Sequence, residues 1–256
     1  MEIIKLNELK VIAGERGFTI EILEKDYLVT YLLYLLKDIE GLYFKGGTAL
    51  NKIFLNHARL SEDLDFTVTR DVRKIEKEIR DKLENTIFKK ITHDKRDDKF
   101  TRLVVHYNLY HEDGTIFIDL NERAKLLLKP EQHDVKHFYK EYLPSYKVNT
   151  LNTKELMSEK MAAAIGRNRP RDHFDLYMII KKKYPIDLAI VKKKCESSGD
   201  EFNIVKIFNR ANRLKNQWDQ DMGQFIAKKI SFITVMKTLA KHFKLKDEKK
   251  KLKETK

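Results

Sequence analysis

The chain has 256 residues, of which 42% are hydrophobic, and it carries a net charge of +13. That length and apolar content give enough material for one large or two smaller cores and exclude a disordered chain. The excess of Lys and Arg favours a polyanionic partner, nucleic acid first, with mere solubility as the plainer reading. A single cysteine, Cys195, rules out an internal disulfide and a Cys-rich zinc site, and fits a reducing, cytoplasmic setting. No apolar run reaches the ~20 residues that span a bilayer, and the N-terminus lacks the uninterrupted apolar stretch of a signal peptide, so no membrane association is expected.

In chain order, residues 1–18 read as a short helix punctuated by Gly14 and Gly17. Ile20, Leu23, Tyr27, Leu28, Tyr31, Leu32 and Leu35 repeat near 3.6 residues and predict a helix over 20–38. Its aromatics suit a buried face better than a base-stacking one. Leu42, Tyr43 and Phe44 predict a short strand, followed by the turn Lys45-Gly46-Gly47-Thr48 and a helix over 49–56. A glycine pair between strand and helix exposes backbone N–H groups that can hold phosphate, though an ordinary turn has the same look. Thr48 can cap the helix or reach phosphate through its hydroxyl.

Leu64, Phe66 and Val68 alternate on one face of a predicted strand, which puts Asp63 and Asp65 on the other. Two carboxylates there repel one another unless a divalent metal lies between them; a solvated strand edge is the alternative. Residues 71–90 predict a surface helix with Ile75, Ile79, Leu83 and Ile87 inward. Residues 91–120 predict an antiparallel pair, Thr101–Tyr110 and Thr115–Leu120, turning at His111–Gly114. Asp119 interrupts an apolar run, either as a third carboxylate beside Asp63 and Asp65 or as the cap of a following turn.

Residues 121–150 show no clean period; His133 and His137 have the i, i+4 spacing of helical zinc ligands but lack a third partner. From Asn152 the chain reads as helical, with a junction at Gly166-Arg167-Asn168-Arg169-Pro170. Lys160, Arg167, Arg169, Arg171, Asp172 and Asp175 gather around that junction. They can grip triphosphate oxygens or simply tie two helices by ion pairs. Further helices are predicted after Pro185, over 201–216 and over 223–244, with Trp218 between the last two as a core anchor. The tail from Lys244 is basic and expected to fray, adding nonspecific affinity for RNA.

With these pieces placed, the sequence resembles the AbiEii/AbiGii toxin family of nucleotidyltransferases, within the DNA polymerase β-like superfamily. The likeness rests on Gly46-Gly47-Thr48-Ala49-Leu50, on Arg59-Leu-Ser61-Glu-Asp63-Leu-Asp65-Phe66, on Glu159-Lys160, and on Arg167 through Asp172-His-Phe-Asp175-Leu176, and covers roughly residues 40–180. Many nucleotidyltransferases carry Gly-Ser where this chain has Gly47-Thr48, which keeps the hydroxyl.

The resemblance implies an α+β fold: a nucleotidyltransferase domain with a small mixed sheet over 1–150 and a mainly helical domain over 151–256. It implies transfer of a nucleoside monophosphate from an NTP to an acceptor, tRNA or another RNA, by a toxin with a cognate antitoxin protein. Asp63, Asp65 and Asp119 are the expected ligands of Mg2+ or Mn2+. Gly46, Gly47, Thr48, Arg59, Ser61 and Lys160 are the expected nucleotide contacts, and Asp175 supports the site. The same motifs permit a phosphotransferase that moves the γ-phosphate, or an RNA-binding protein that has kept the fold without the chemistry.

Overall fold

The computed structural model describes residues 2–111 and 113–254. The chain divides into two compact units, Met1–Asn152 and Thr153–Lys256. The first unit holds helices α1 (Leu6–Arg16), α2 (Ile20–Leu36), α3 (Gly46–Ala49) and α4 (Val72–Leu83). Its strands are β1 (Leu42–Lys45), β2 (Leu64–Val68), β3 (Lys90–Asp97), β4 (Phe100–Tyr107), β5 (Gly114–Asn121), β6 (Glu131–Asp134) and β7 (Lys147–Thr150). They make one sheet in the order β3-β4-β5-β2-β1-β7-β6. It is mixed, because β2–β5 and β1–β7 run parallel and the other pairs antiparallel.

Alternation decides which face is buried. Phe44, Phe66, Leu64, Leu120, Ile118, Leu103 and Val105 are buried on one side. The opposite side carries the half-buried Lys45, Asp65, Asp119 and Arg102. Helix α4 turns Val72, Ile75, Ile79 and Leu83 inward, as its periodicity predicts, and ends before Ile87. The sheet is larger than the sequence predicts. β3 is a charged edge strand whose side chains give no apolar period. β6 and β7 have four residues each and hold one apolar residue between them. His133 therefore lies on a strand, pairing with Val148, so the helical i, i+4 spacing with His137 does not exist.

Helix α2 is buried along most of its length, and Tyr27 and Tyr31 are core. Tyr27 meets the edge of Tyr139, and Tyr31 lies against Phe88. Within this apolar setting sits a charge pair. Lys52 Nζ, in a π-helical turn Leu50–Phe54 that continues α3, donates to Asp26 Oδ1 at 2.6 Å and to Thr30 Oγ1 at 2.8 Å. Tyr139 donates to Asp26 Oδ2 at 3.0 Å, so both carboxylate oxygens are used. Both charged side chains are 2% exposed. After the π turn, Asn56 and His57 take left-handed backbone conformations, φ 55° and 54°. The His57 ring packs on Phe138, 4.3 Å between centroids. Burial, with the Lys52 ammonium nearby, pushes His57 down to about 4.

The second unit is helical: α5 (Thr153–Gly166), α6 (Pro170–Lys181), α7 (Leu188–Ser197), a 3-10 turn Ile204–Phe208, α8 (Ala211–Met222), α9 (Phe232–His242) and α10 (Leu245–Glu254). Pro170 stands at the start of α6, where its missing N–H costs nothing. Trp218 is inside α8, not between helices; it is buried, donates to Ile230 O at 2.9 Å and packs on Phe232. The basic tail is helical through Glu254, contrary to the frayed end expected; residues 255 and 256 lie outside the described residues. Among the described residues no helix is long and apolar enough to cross a membrane.

Two outcomes follow. Lys52→Met leaves Asp26 charged and buried, and lowers the unfolding free energy by about 3–5 kcal/mol, whereas removing the exposed Lys5 partner of Glu2 costs under about 1 kcal/mol; urea denaturation of both variants checks this. His57 binds a proton in the unfolded chain near pH 6.5 but in the folded chain only near 4. Stability therefore falls as pH drops from about 6.5 to about 4, and His57→Gln flattens that slope in melts across the range.

Candidate active site

The site face is built by register. Lys45 on β1 stands opposite Asp65 on β2, Asp65 opposite Asp119 on β5, Asp119 opposite Arg102 on β4, and Arg102 opposite Lys95 on β3. Directly opposed residues point the same way, so these five form one row across five strands: two carboxylates flanked by cations. Asp63, just ahead of β2, is two residues from Asp65 and acts electrostatically on Arg102. The structure thus brings Asp65 and Asp119 into one row and keeps Asp63 beside them. Asp63, Asp65 and Asp119 are all half-buried.

Gly46 and Gly47 matter through what they lack. Gly46 has φ +76°, and a Cβ there would lie 2.0 Å from Asp65 Oδ2. The carboxylate occupies the space a side chain would fill, and only glycine adopts that backbone without strain. A Cβ on Gly47 would lie 2.5 Å from Arg59 Nη2. Arg59 is buried, 2% exposed, and its Nη1 donates to Leu60 O at 3.0 Å. Its guanidinium underlies the glycine turn.

Thr48 is also buried, and its hydroxyl donates to the Asp63 carbonyl, tying the turn to the carboxylate strand. That proton is committed within the chain. Ser61 is half-buried, its Oγ 3.4 Å from where a Gly47 Cβ would stand.

Three neighbours of the motif escape a reading of the sequence. Asn51 donates to Gly47 O at 2.9 Å and accepts from Arg59 N at 3.1 Å, bridging the turn and the returning loop. The π turn makes the bridge possible: its wider winding carries Leu55 N to Leu50 O and His57 N to Asn51 O. Lys25 on α2 pairs with Glu62 at 3.0 Å and holds the loop before Asp63. Arg102 grips Asp119, Nε to Oδ1 at 2.6 Å and Nη2 to Oδ2 at 2.7 Å. These hydrogen bonds foremost, with the charges of Asp94 and Asp63 added, raise the Arg102 pKa above its ordinary value.

For a divalent cation, the donor chemistry fits. Asp63 and Asp65, two residues apart, offer hard carboxylate oxygens, and the space kept open at Gly46 belongs to Asp65. The third donor is engaged: Asp119 already accepts twice from Arg102. Among the described residues, no three His, Cys, Asp or Glu side chains are grouped closely enough to hold a metal ion.

In the second unit, Lys160 Nζ lies 3.1 Å from both Asp172 Oδ1 and Asp175 Oδ2, and Arg167 Nη2 reaches Asp172 Oδ1 at 2.9 Å. Asp175 is wholly buried and Lys160 nearly so. His173 faces carbonyl oxygens with both ring nitrogens, Arg169 O at 2.9 Å and Ile207 O at 2.7 Å, and so joins the helix junction to the 3-10 turn.

A mixed sheet with a glycine turn beside paired aspartates defines a nucleotidyltransferase fold, and solved structures agree. MenT4, a nucleotidyltransferase toxin of Mycobacterium tuberculosis, matches with a TM-score of 0.72 at 19% identity, over 94% of this chain and 89% of its own. JHP933 of Helicobacter pylori matches with a TM-score of 0.62 at 20% identity, over 93% of this chain and 99% of its own. At such identities the likeness is one of fold. The family is set by sequence: the profile of the nucleotidyl transferase AbiEii toxin, type IV toxin–antitoxin system, matches residues 31–239, and the chain belongs to that family. No curated protein matches the sequence.

Gly46→Ala tests the cradle. The added methyl collides with Asp65 and the φ is unfavourable for an L-residue, so stability falls by about 1–2 kcal/mol or more in thermal melts, and Asp65 is displaced in a crystal structure of the variant.

Proposed function

We propose that this toxin transfers a nucleoside monophosphate from an NTP to an RNA acceptor, tRNA first, with Mg2+ or Mn2+ held by Asp63 and Asp65. One observation carries the reading: Asp65 and Asp119 share a row on adjacent strands, with the glycine turn shaped around the Asp65 carboxylate. The cation supplies charge for the α-phosphate and the departing pyrophosphate. The first unit carries the transfer chemistry. Backbone N–H groups of Gly46, Gly47 and Thr48 orient the β- and γ-phosphates, with Ser61 beside them. Arg59 holds the turn from beneath.

Asp119 would help hold the cation, the acceptor hydroxyl then losing its proton to water, or would itself take that proton. As the acceptor oxygen bonds to the α-phosphorus, the bond from that phosphorus to the bridging oxygen breaks and pyrophosphate leaves with the electron pair. In the second unit Asp172 and Asp175 fix the Lys160 ammonium. The +13 charge supports an RNA acceptor. The family's type IV toxin–antitoxin setting supports a cognate antitoxin protein as partner.

The test is transfer of label from each of four α-32P NTPs, and from the γ-labelled forms, to total tRNA with Mg2+. Label moves from the α position only, and Asp65→Asn lowers the rate by about a thousandfold with the fold intact. Transfer from the γ position would make the protein a phosphotransferase. Binding of RNA without any transfer, indifferent to Mg2+ and to Asp65→Asn, would make it a non-catalytic binder.

A further inference from the structure

Arg102 has two carboxylates to choose from. It holds Asp119 through a bidentate pair between directly opposed residues, the strong geometry for guanidinium and carboxylate. Its Nη1 also lies 3.6 Å from Asp94 Oδ2. Asp94 is there because of a bulge. The β3–β4 ladder passes from His93 opposite Leu103 to Lys95 opposite Arg102, leaving Asp94 as the extra residue. A bulge bends its strand and re-aims the side chain it carries. Phe117, 5.4 Å from the guanidinium carbon, supports Arg102 as it reaches across.

The two anchorages differ in consequence. Three carboxylates, Asp63, Asp65 and Asp119, need a positive charge among them, and Arg102 is the cation that Asp119 has. Its grip draws Asp119 along the row toward β4, whereas Asp65 lies in the other direction on β2. Arg102 is 32% and Asp119 19% exposed, so neither is locked in place by packing.

We propose that Arg102 is a positioning residue that stands in for the divalent cation on Asp119, and that cation binding passes Asp119 to the cation while Arg102 falls back on Asp94. This rests on the reading of Asp63 and Asp65 as the cation site. Arg102 and the cation then compete for one carboxylate, and the intact chain binds the cation more weakly than its three carboxylates alone would.

The test is calorimetric titration of Mn2+ into the full chain, without NTP or RNA, for the wild type, Arg102→Gln, Arg102→Lys, Asp119→Asn, Arg102→Gln/Asp119→Asn, Asp94→Asn and Asp65→Asn. Arg102→Gln binds Mn2+ roughly tenfold more tightly than the wild type, and Arg102→Lys, which keeps the charge but loses the fork, falls between them. In the Asp119→Asn background the same Arg102→Gln change shifts affinity by less than about twofold, because the competition has lost its object. Asp94→Asn, which removes the fallback partner, weakens binding; it and Arg102→Lys carry the test if Arg102→Gln does not fold. Equal affinity of the wild type and the Arg102 variants overturns the proposal. So does an Arg102→Gln effect of the same size with and without the Asp119 carboxylate, which would be a general field effect. Mn2+ binding that Asp65→Asn leaves unchanged overturns the cation site itself, and this proposal with it.

Discussion

The parallel pairing of β2 with β5 sets two carboxylates side by side, and much of the first unit answers that placement. Asp65 and Asp119 are directly opposed on neighbouring strands, an arrangement that costs free energy unless positive charge is near. Arg102 provides it on one side, Lys45 stands next in the row on the other, and Asp63 adds a third negative charge. Gly46 leaves room for the Asp65 carboxylate by having no side chain. A stabilising design for the sheet alone would put apolar or opposite charges in these positions. The cluster is the kind of local conflict that persists at functional sites.

Rigidity around the cluster comes from buried polar contacts that each join two segments. Thr48 ties the glycine turn to the Asp63 carbonyl. Asn51 joins Gly47 to Arg59, and Lys52 pins the π turn to α2 through Asp26 and Thr30. Each group is desolvated and satisfied within the chain, the condition under which polar contacts specify one geometry. The segment from Gly46 to Phe66 is therefore held at both ends and in its middle. In the helical unit, Lys160 is bracketed by Asp172 and Asp175, so its ammonium too is fixed by neighbours.

The segments with a strong period were legible in the sequence: α2, α4, β2 and the helix pair α5 and α6. So were Gly46, Asp63, Asp65 and the Lys160 junction, because glycine pairs and clustered charges stand out locally. What was hidden depends on pairing between distant segments. A turn at His111–Gly114 would set Tyr110 opposite Thr115, but the hairpin sets Tyr107 opposite Gly114. Only the second register puts Arg102 against Asp119. Tyr110 instead leaves the sheet, its hydroxyl donating to Ile4 O and its N–H to Glu24. Arg102, like Asp119, interrupts an apolar strand, and that shared oddity was the signal available. Lys52 and Asp26 give no local signal, since burial of a matched pair leaves no mark on periodicity. The short strands β6 and β7, EQHD and KVNT, hold one apolar residue between them, so no apolar alternation shows in the sequence.

The central claim is that this face of the sheet binds a divalent cation for nucleotidyl transfer. The most direct measurement is anomalous diffraction from crystals grown with Mn2+ and a non-hydrolysable NTP analogue. The account predicts an anomalous peak about 2.1 Å from carboxylate oxygens of both Asp63 and Asp65, with the analogue's phosphates against Gly46 and Gly47. Manganese bound elsewhere on the chain, with Asp63 and Asp65 making no contact to it, would contradict the account.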